Sequence, residues 1–157
     1  GLTELLGLRR TEIDGMYDGE TRSCMPAAGC TLPAAQASTL CEVAALDEEN
    51  PAEPLSLYDE DYFAGHPAAA VHRYGKGRAY YLASRFDEAF YRAFYHDAAK
   101  EIGLSPAWPE ALPEGVLAVR RGSFVFVQNC TEQPATVGNT VLDRYRTAVW
   151  KDMDRIF

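Results

Sequence analysis

A glycine-centred turn between two strand-like stretches is the feature that most constrains how this chain can fold. Residues 68–74 and 78–84 both have the character of β-strands, and Gly75-Lys76-Gly77 separates them. Glycine adopts the positive φ angles that tight hairpin turns require. The sequence therefore predicts a β-hairpin at this point, in which the two flanking strands pair antiparallel.

A helix is predicted immediately after the hairpin. Ser84 or Asp87 can cap its first turn, because both side chains accept hydrogen bonds from free backbone N–H groups. Gly103 and Pro106 end it, since neither residue continues a helix well. Between these signals, apolar side chains recur at helical spacing and are expected to face a core: Phe90, Ala93, Phe94, Ala98 and Ile102.

Shorter elements are predicted upstream of the hairpin. The apolar run at residues 2–6 is typical of the last turns of a helix, which Gly7 would end. Residues 15–36 are rich in glycine, proline, alanine and polar residues, and we expect a loop there with room for one strand. Three further stretches are predicted as strands: residues 8–13, 38–46 and 55–58.

The pattern changes after a proline-marked linker at residues 105–113, and no helix is indicated beyond Ile102. Four stretches after the linker are predicted as short strands: residues 116–120, 123–128, 137–145 and 147–150. We therefore expect two domains. They are an α/β unit at residues 1–105 and a small antiparallel β domain at residues 106–157.

The charge balance restricts the partners of the chain. Its formal charge is -8, from 23 acidic and 15 basic residues, whereas nucleic-acid binding needs clustered Lys and Arg. We therefore expect no nucleic-acid partner. No stretch approaches the roughly 20 apolar residues that cross a bilayer and no secretory signal is visible, so we expect a soluble protein without a membrane partner. Because the chain starts at Gly1 rather than at Met, we also expect a piece of a longer protein.

Clusters of acidic residues offer carboxylates that could act as an acid/base pair. Adjacent acids on a strand point to opposite faces, however, and acids in loops are normally solvated. We therefore expect solvated surface, with the last cluster also stabilised by the N-terminal dipole of the helix that follows. The clusters are Glu48-Glu49, Asp59-Glu60-Asp61 and Asp87-Glu88.

A cysteine nucleophile is an alternative that the sequence disfavours. Such a nucleophile wants small residues two positions to either side, but Pro26 and Leu32 stand there. The cysteine spacings fit neither paired zinc ligands nor a dense disulfide framework, so we expect free, mostly buried thiols, no metal and no cofactor. The residues weighed are Cys24 or Cys30 with His66, His72 or His96, and the remaining cysteines are Cys41 and Cys130.

Three motifs around the hairpin carry a family resemblance. They are DYFAGHPA at residues 61–68, YGKGRAYYLASR at residues 74–85 and DEAF at residues 87–90. In this order and spacing they closely resemble the glycoside hydrolase family 42 β-galactosidases. The match is to the end of the flavodoxin-like trimerisation domain that follows the catalytic barrel in that family.

The resemblance continues with less strength on both sides of these motifs. PEGV at residues 113–116 and the segment at residues 120–129 are similar to the start of the family's small C-terminal β domain. Upstream, LLGL at residues 5–8 and EID at residues 12–14 carry a weaker match. The family closes on an apolar strand, whereas residues 151–155 are charged here, so the resemblance does not extend to the last strand.

The resemblance implies a partial flavodoxin-like, three-layer α/β fold followed by an antiparallel β domain. The family is thought to hydrolyse terminal β-galactosides with retention, using two glutamates on a (β/α)8 barrel of roughly 200 residues or more. This chain cannot contain that barrel, so we assign it no catalytic residue and expect no activity alone. The implied partners are copies of itself in a homotrimer, in the bacterial cytoplasm, with galactosides bound only through the missing barrel.

Three functions therefore stand as hypotheses. The first is a non-catalytic module for subunit assembly and structural support, with aromatic residues at the subunit interface. The second is a carbohydrate-binding accessory module that presents Trp108 or Trp150 to a sugar ring. The third, a free-standing amidotransferase-like enzyme, is disfavoured by the cysteine contexts. The predicted interface residues are Tyr62, Phe63, Tyr91 and Tyr95.

Overall fold

The computed structural model describes residues 1–151, and the chain forms two compact units. Unit 1 is Gly1–Ile102, and unit 2 begins at Gly103. Unit 1 contains two helices and seven strands. They are α1 (Leu2–Leu6), β1 (Leu8–Gly15), β2 (Thr21–Pro26), β3 (Ala35–Leu46), β4 (Glu53–Tyr58), β5 (Pro67–Tyr74), β6 (Gly77–Leu82), β7 (Ser84–Phe86) and α2 (Glu88–Glu101).

The seven strands of unit 1 form one sheet in the order β1-β3-β2-β4-β5-β6, and β7 pairs with β3. Ala37 in β3 pairs with Arg22 of β2 and also with Phe86 of β7, so β2 and β7 lie on opposite sides of β3. Only Ala83 separates β6 from β7 along the chain. After β6, the chain therefore returns through β7 to pair with β3.

Every strand pair of this sheet is antiparallel, which corrects the expected flavodoxin-like, three-layer architecture. A flavodoxin-like unit needs parallel strands joined by crossover helices on both faces. In residues 1–102, all of which are described, no helix lies between β1 and β7. Short connections between consecutive strands favour antiparallel pairing. Unit 1 is therefore mostly antiparallel β-sheet, with two short helices.

The predicted hairpin is confirmed as β5 and β6. Arg73 pairs with Arg78 and Tyr74 with Gly77, and Gly75 has a φ of 57° at the turn. The first six residues of β5 are buried, because this strand lies inside the sheet between β4 and β6. The hairpin thus places its charged end at the rim of unit 1.

Helix α2 is confirmed with Asp87 as its N-cap, since the Asp87 side chain accepts a hydrogen bond from the Phe90 backbone N–H at 3.0 Å. Phe90 and Phe94 are buried, as predicted from their spacing. Ile102 was expected in the same core face but is 70% exposed. The helix ends at Glu101, and Ile102 as its C-cap leaves the helical spiral that would have carried it inward.

The core of unit 1 lies between the sheet and α2. Tyr58, which is 1% exposed, donates its hydroxyl hydrogen bond to the Ala83 carbonyl oxygen at 3.1 Å and so satisfies its one buried polar group. Phe86 stacks on Phe90 with ring centroids 4.1 Å apart. A second small cluster packs near α1. It comprises Leu8, Ala44, Ala52 and Ala70.

Unit 2 is an all-antiparallel β unit among its described residues. A three-stranded sheet has the order β12-β9-β8, and a two-stranded hairpin pairs β10 with β11. The strands are β8 (Val116–Arg121), β9 (Phe124–Asn129), β10 (Ala135–Val137), β11 (Thr140–Leu142) and β12 (Thr147–Lys151). The charged residues 151–155 were the reason for not extending the resemblance to the last strand. Of these, residues 152–155 lie outside the described residues.

Candidate functional site

The four aromatic residues predicted for a subunit interface differ in exposure. Tyr62 is 64% exposed and Tyr95 is 63% exposed, whereas Tyr91 is partly buried. Phe63 is only 1% exposed, because its ring packs edge-on against Tyr58 at a centroid distance of 4.9 Å inside the core. In unit 1, Phe63 is therefore a core residue, and the other three rings reach the surface.

Tyr62 is held in place on the surface by its neighbours. Its hydroxyl donates to Glu12 Oε1 at 2.9 Å, and its backbone N–H donates to Asp61 Oδ1 at 2.8 Å. Its ring lies edge-on to Phe63, with centroids 4.9 Å apart. The hydrogen bond to Glu12 raises the pKa of Tyr62 to about 12, because the carboxylate favours the protonated phenol. The ring is fixed in orientation while most of its surface faces outward.

Tyr91 and Tyr95 form a second surface feature on α2. Their rings are nearly parallel, with centroids 6.1 Å apart and an interplanar angle of 19°, as their spacing of one helical turn allows. The Tyr91 hydroxyl accepts a hydrogen bond from the Phe86 backbone N–H at 3.4 Å, which ties this ring to the core. Tyr95 stacks outside it and packs edge-on against Phe94.

The acidic clusters are exposed, as expected, except for the half-buried Asp87, and several of their carboxylates also accept hydrogen bonds or form ion pairs. Glu60 Oε1 accepts a hydrogen bond from the Ser23 backbone N–H at 2.5 Å, and Asp61 forms an ion pair with Arg22 at 3.1 Å. Asp87 also accepts a hydrogen bond from the Gln36 backbone N–H at 2.7 Å. These carboxylates shape loops and a helix end. Glu48 and Glu49 are exposed, as expected.

A cluster of three polar side chains centred on Glu42 was not predicted from the sequence. Arg10 Nη1 lies 2.8 Å from Glu42 Oε1, and the Tyr81 hydroxyl donates to the other carboxylate oxygen. Burial raises the pKa of Glu42, but the hydrogen bonds from Tyr81 and Arg10 outweigh it and lower the pKa. These three residues come from β1, β3 and β6, and no local sequence pattern indicates that they lie in contact.

The cysteines do not form the nucleophilic site that was weighed. Burial raises the pKa of Cys24 to about 12, the opposite of the shift that activates a thiol. Cys24 and Cys41 are buried, Cys30 is half-buried and Cys130 is exposed, and all four are free thiols. The imidazoles of His66 and His72 hydrogen-bond backbone carbonyl oxygens of Ala44 and Leu5 at 3.0 and 2.9 Å.

The structure places neither tryptophan as an open platform for a sugar ring. Trp108 is 7% exposed and belongs to the core of unit 2. Trp150 is partly buried and packs edge-on against Trp108, with ring centroids 5.1 Å apart. Both indoles contribute to packing inside unit 2, so the accessory-module hypothesis gains no support.

A row of exposed apolar side chains crosses the three-stranded sheet of unit 2. Val119, Phe126 and Val149 pair directly across the strands, and they are 50%, 38% and 53% exposed. The signal in the sequence was that β8 and β9 are apolar at both alternating positions, which indicates two apolar faces. The opposite face of the same strands packs in the core with Val125 and Val127.

Two classes of site are not formed within residues 1–151. No group of three or more His, Cys, Asp or Glu side chains converges there as a metal site. Neither helix in that part of the chain has the length and apolar character needed to cross a bilayer.

Comparison with known proteins points to one family. Residues 1–105 match the family model of the β-galactosidase trimerisation domain. The chain is 43% identical over 143 residues to β-galactosidase BglY of Alicyclobacillus acidocaldarius, an alignment that covers 87% of this chain and 20% of that protein. The chain thus spans about a fifth of the length of this curated relative.

Solved structures agree with the sequence matches. The β-galactosidase of Rahnella sp. R3 superposes with a TM-score of 0.79 at 35% identity, over 94% of this chain and 24% of that one. Gan42B, a family 42 β-galactosidase of G. stearothermophilus, gives a TM-score of 0.75 at 25% identity, over 94% and 24% of the two chains. The chain therefore belongs to the β-galactosidase trimerisation domain family, within the glycoside hydrolase family 42 enzymes.

Proposed function

We propose that this chain is a non-catalytic module that brings copies of itself together as a homotrimer. The observation that carries the proposal is the match of residues 1–105 to the β-galactosidase trimerisation domain. Self-association requires exposed surface that a neighbour can cover, and aromatic side chains are enriched in such surfaces.

The surface of unit 1 supplies rings suited to this role. Tyr62 and Tyr95 are each more than half exposed, and both are held by neighbouring side chains. A ring that is already ordered loses little conformational entropy when a partner covers it. We therefore propose Tyr62, Tyr95 and the partly buried Tyr91 as interface residues, and we assign Phe63 to the core.

We also propose that these residues serve a longer β-galactosidase that hydrolyses terminal β-galactosides. The relatives named β-galactosidase support this, since this chain aligns with only 20% and 24% of two of them. The chain would contribute assembly and support, and the catalytic glutamates would lie on a barrel elsewhere. The four free thiols favour a reducing compartment, in keeping with the bacterial cytoplasm.

The experiment is sedimentation velocity of Tyr95→Ser, with Tyr17→Ser as its matched control. Tyr17 is 83% exposed, and its hydroxyl has no hydrogen bond among the described residues. We expect Tyr95→Ser to weaken self-association by about tenfold or more, as loss of an interface aromatic does. Tyr17→Ser should associate like the unsubstituted chain. If all three proteins associate equally, Tyr95 does not lie in the interface. If the unsubstituted chain does not associate at all, the proposed function is contradicted.

A further inference from the structure

We propose that a depression beside the β5–β6 hairpin receives two carboxylates from the β3–β4 loop of a second copy of this chain. The inference rests on the proposed function, since it names surfaces through which copies would meet. The hairpin depression is defined here by Arg73, Lys76 and Arg78 with Glu101. The acidic tip is defined by Glu48 and Glu49.

The hairpin depression concentrates positive charge on an acidic chain. Its volume is about 340 Å³, and three cationic side chains line it against one carboxylate, Glu101. Arg73 and Arg78 are directly opposite each other in the β5–β6 register. Like charges in that position destabilise a hairpin, so the sequence tolerates a cost there.

Only one of the three cations is neutralised within unit 1. Arg78 forms two contacts of 2.7 Å with the Glu101 carboxylate, one through Nε and one through Nη1. Arg73 and Lys76 form no ion pair with any residue in the range 1–151. Arg73 and Lys76 therefore have no ion-pair partner among the described residues at this exposed rim, and a further carboxylate, that of Glu53, lines an adjoining pocket with Arg73.

The acidic tip is a turn held by hydrogen bonds within the chain. Asp47 Oδ1 accepts hydrogen bonds from the backbone N–H groups of Glu49 and Asn50 at 3.2 and 2.9 Å, and these bonds hold the turn. Glu48 and Glu49 are exposed and have no ion pair with a residue of the described part of the chain. Arg9 lies beside them without pairing with either.

Charge complementarity selects a second copy as the occupant. Copies that each have a formal charge of -8 repel one another at long range, so the cationic depression attracts an acidic surface only at short range. At that range Arg73 and Lys76 of one copy meet the two unpaired carboxylates of the acidic tip of another. In a contact between two unlike surfaces, every pair of copies still has one free surface of each kind. Repetition of the contact gives a closed ring, such as a trimer, when the rotation between copies closes. Exposed ion pairs are individually weak, so this contact fixes the orientation in which two copies meet.

A charge swap tests the proposal on the whole chain. Arg73→Glu/Lys76→Glu reverses the depression, and Glu48→Lys/Glu49→Lys reverses the tip. Each double variant should self-associate about tenfold more weakly than the unsubstituted chain in sedimentation velocity at low ionic strength, because like charges then meet. A variant with all four substitutions restores opposite charges and should regain association to within about threefold.

Matched controls separate this contact from net charge. Arg85→Glu/Arg144→Glu and Asp18→Lys/Glu110→Lys change the charge by the same amounts at exposed positions outside both surfaces. Each control should associate about tenfold more tightly than the surface variant that has the same net charge. Neutral versions, Arg73→Gln/Lys76→Gln and Glu48→Gln/Glu49→Gln, give the same test if a reversal impairs folding, which circular dichroism checks.

The outcomes distinguish this inference from the proposed function. If the unsubstituted chain associates and neither reversal weakens it, the inference is overturned and the assembly function stands. The inference is also overturned if the variant with all four substitutions self-associates as weakly as the double variants. If the unsubstituted chain does not associate at any concentration, both proposals fail together.

Discussion

A Cβ atom added to Gly7 would lie 2.6 Å from Cδ2 of His72 and 2.6 Å from the backbone nitrogen of Ala52. Gly7 ends α1 with a φ of 62°, and its carbonyl oxygen accepts a hydrogen bond from Ala52 at 2.8 Å. His72 Nδ1 bonds the Leu5 carbonyl oxygen of the same helix at 2.9 Å. Gly7 is thus the point where α1 docks on the imidazole of His72 in β5.

The close approach predicts an unusual cost for Gly7→Ala. The left-handed φ costs an L-residue about 1 to 2 kcal/mol, and the clash with His72 and Ala52 adds about 1 to 3 kcal/mol. Gly75→Ala is the matched control, because Gly75 has a φ of 57° and nothing within 4 Å of the added Cβ. Urea unfolding should show a clearly larger loss for Gly7→Ala. Equal losses would mean that no close packing exists at Gly7.

Acid should destabilise the chain partly through Glu42. Burial raises its pKa, but the hydrogen bonds from Tyr81 and Arg10 bring it below the ordinary 4.5. A folded-state pKa below the unfolded value gives stability that is complete above about pH 4.5 and lost as the pH falls through the lowered pKa. Tyr81→Phe removes one of the lowering hydrogen bonds.

Tyr81→Phe should therefore lose about 1 kcal/mol of unfolding free energy at pH 7 and fall less steeply below pH 4.5 than the unsubstituted chain. The measurement is urea unfolding at pH 7 and at several pH values below 4.5, with Tyr17→Phe as the control. Parallel acid profiles for Tyr81→Phe and the unsubstituted chain would contradict the role given to this hydrogen bond.

The four thiols should differ sharply in reactivity. Cys130 is exposed, whereas Cys24 and Cys41 are buried and burial raises both of their pKa values. The thiolate is the reactive species, so both access and ionisation protect the buried pair. In the native chain at pH 8, a disulfide reagent should label Cys130 first and Cys24 and Cys41 at least about 100-fold more slowly. Mass spectrometry of the labelled peptides checks the order, and rapid native labelling of Cys24 would contradict the burial.

Asn129 should stabilise unit 2 through a fully bonded side chain. Its Nδ2 donates to the carbonyl oxygens of Gln133, Leu142 and Asp143 at 2.7, 3.2 and 3.2 Å. Its Oδ1 accepts from the Thr131 backbone N–H at 2.9 Å and from the Thr131 hydroxyl at 2.8 Å. Asn129→Asp would place a carboxylate oxygen against three carbonyl oxygens and should cost about 3 kcal/mol.

The tryptophans make this loss visible, because Trp108 and Trp150 both lie in unit 2. Denaturant unfolding followed by tryptophan fluorescence should shift to lower denaturant for Asn129→Asp. Gln128→Glu, the same chemical change at the exposed neighbouring position, should shift it little. Similar midpoints for both variants would show that the bonds of Asn129 do not stabilise unit 2.

Local signals were sufficient for the β5–β6 hairpin and for helix α2, but not for every element, since the one strand predicted at residues 137–145 is the β10–β11 hairpin. The turn at Gly75 and the cap at Asp87 each depend on a few adjacent residues, and both are present as predicted. The return of the sheet through β7 was not predictable in this way. Ser84 pairs with Cys41, more than forty residues earlier, and Ala83 between β6 and β7 gives no turn signal.

The aromatic residues of the proposed interface were harder to predict, because neighbours in the sequence differ in whether their rings are exposed or buried. Tyr62 and Phe63 follow each other in the sequence, yet one ring is exposed and the other is buried. Asp61 has a φ of 71°, a left-handed conformation that turns the chain just before them. The pairing of Glu42 with Arg10 and Tyr81 likewise depends on sheet register, which the sequence pattern alone does not reveal.

The proposed homotrimer can be tested by the solution mass of the unsubstituted chain, measured by light scattering over a concentration series. If copies of the chain form a trimer, the mass approaches three times 17.4 kDa as the concentration rises. A mass that stays at 17.4 kDa at every concentration would contradict it, because these residues would then lack the surfaces that join copies.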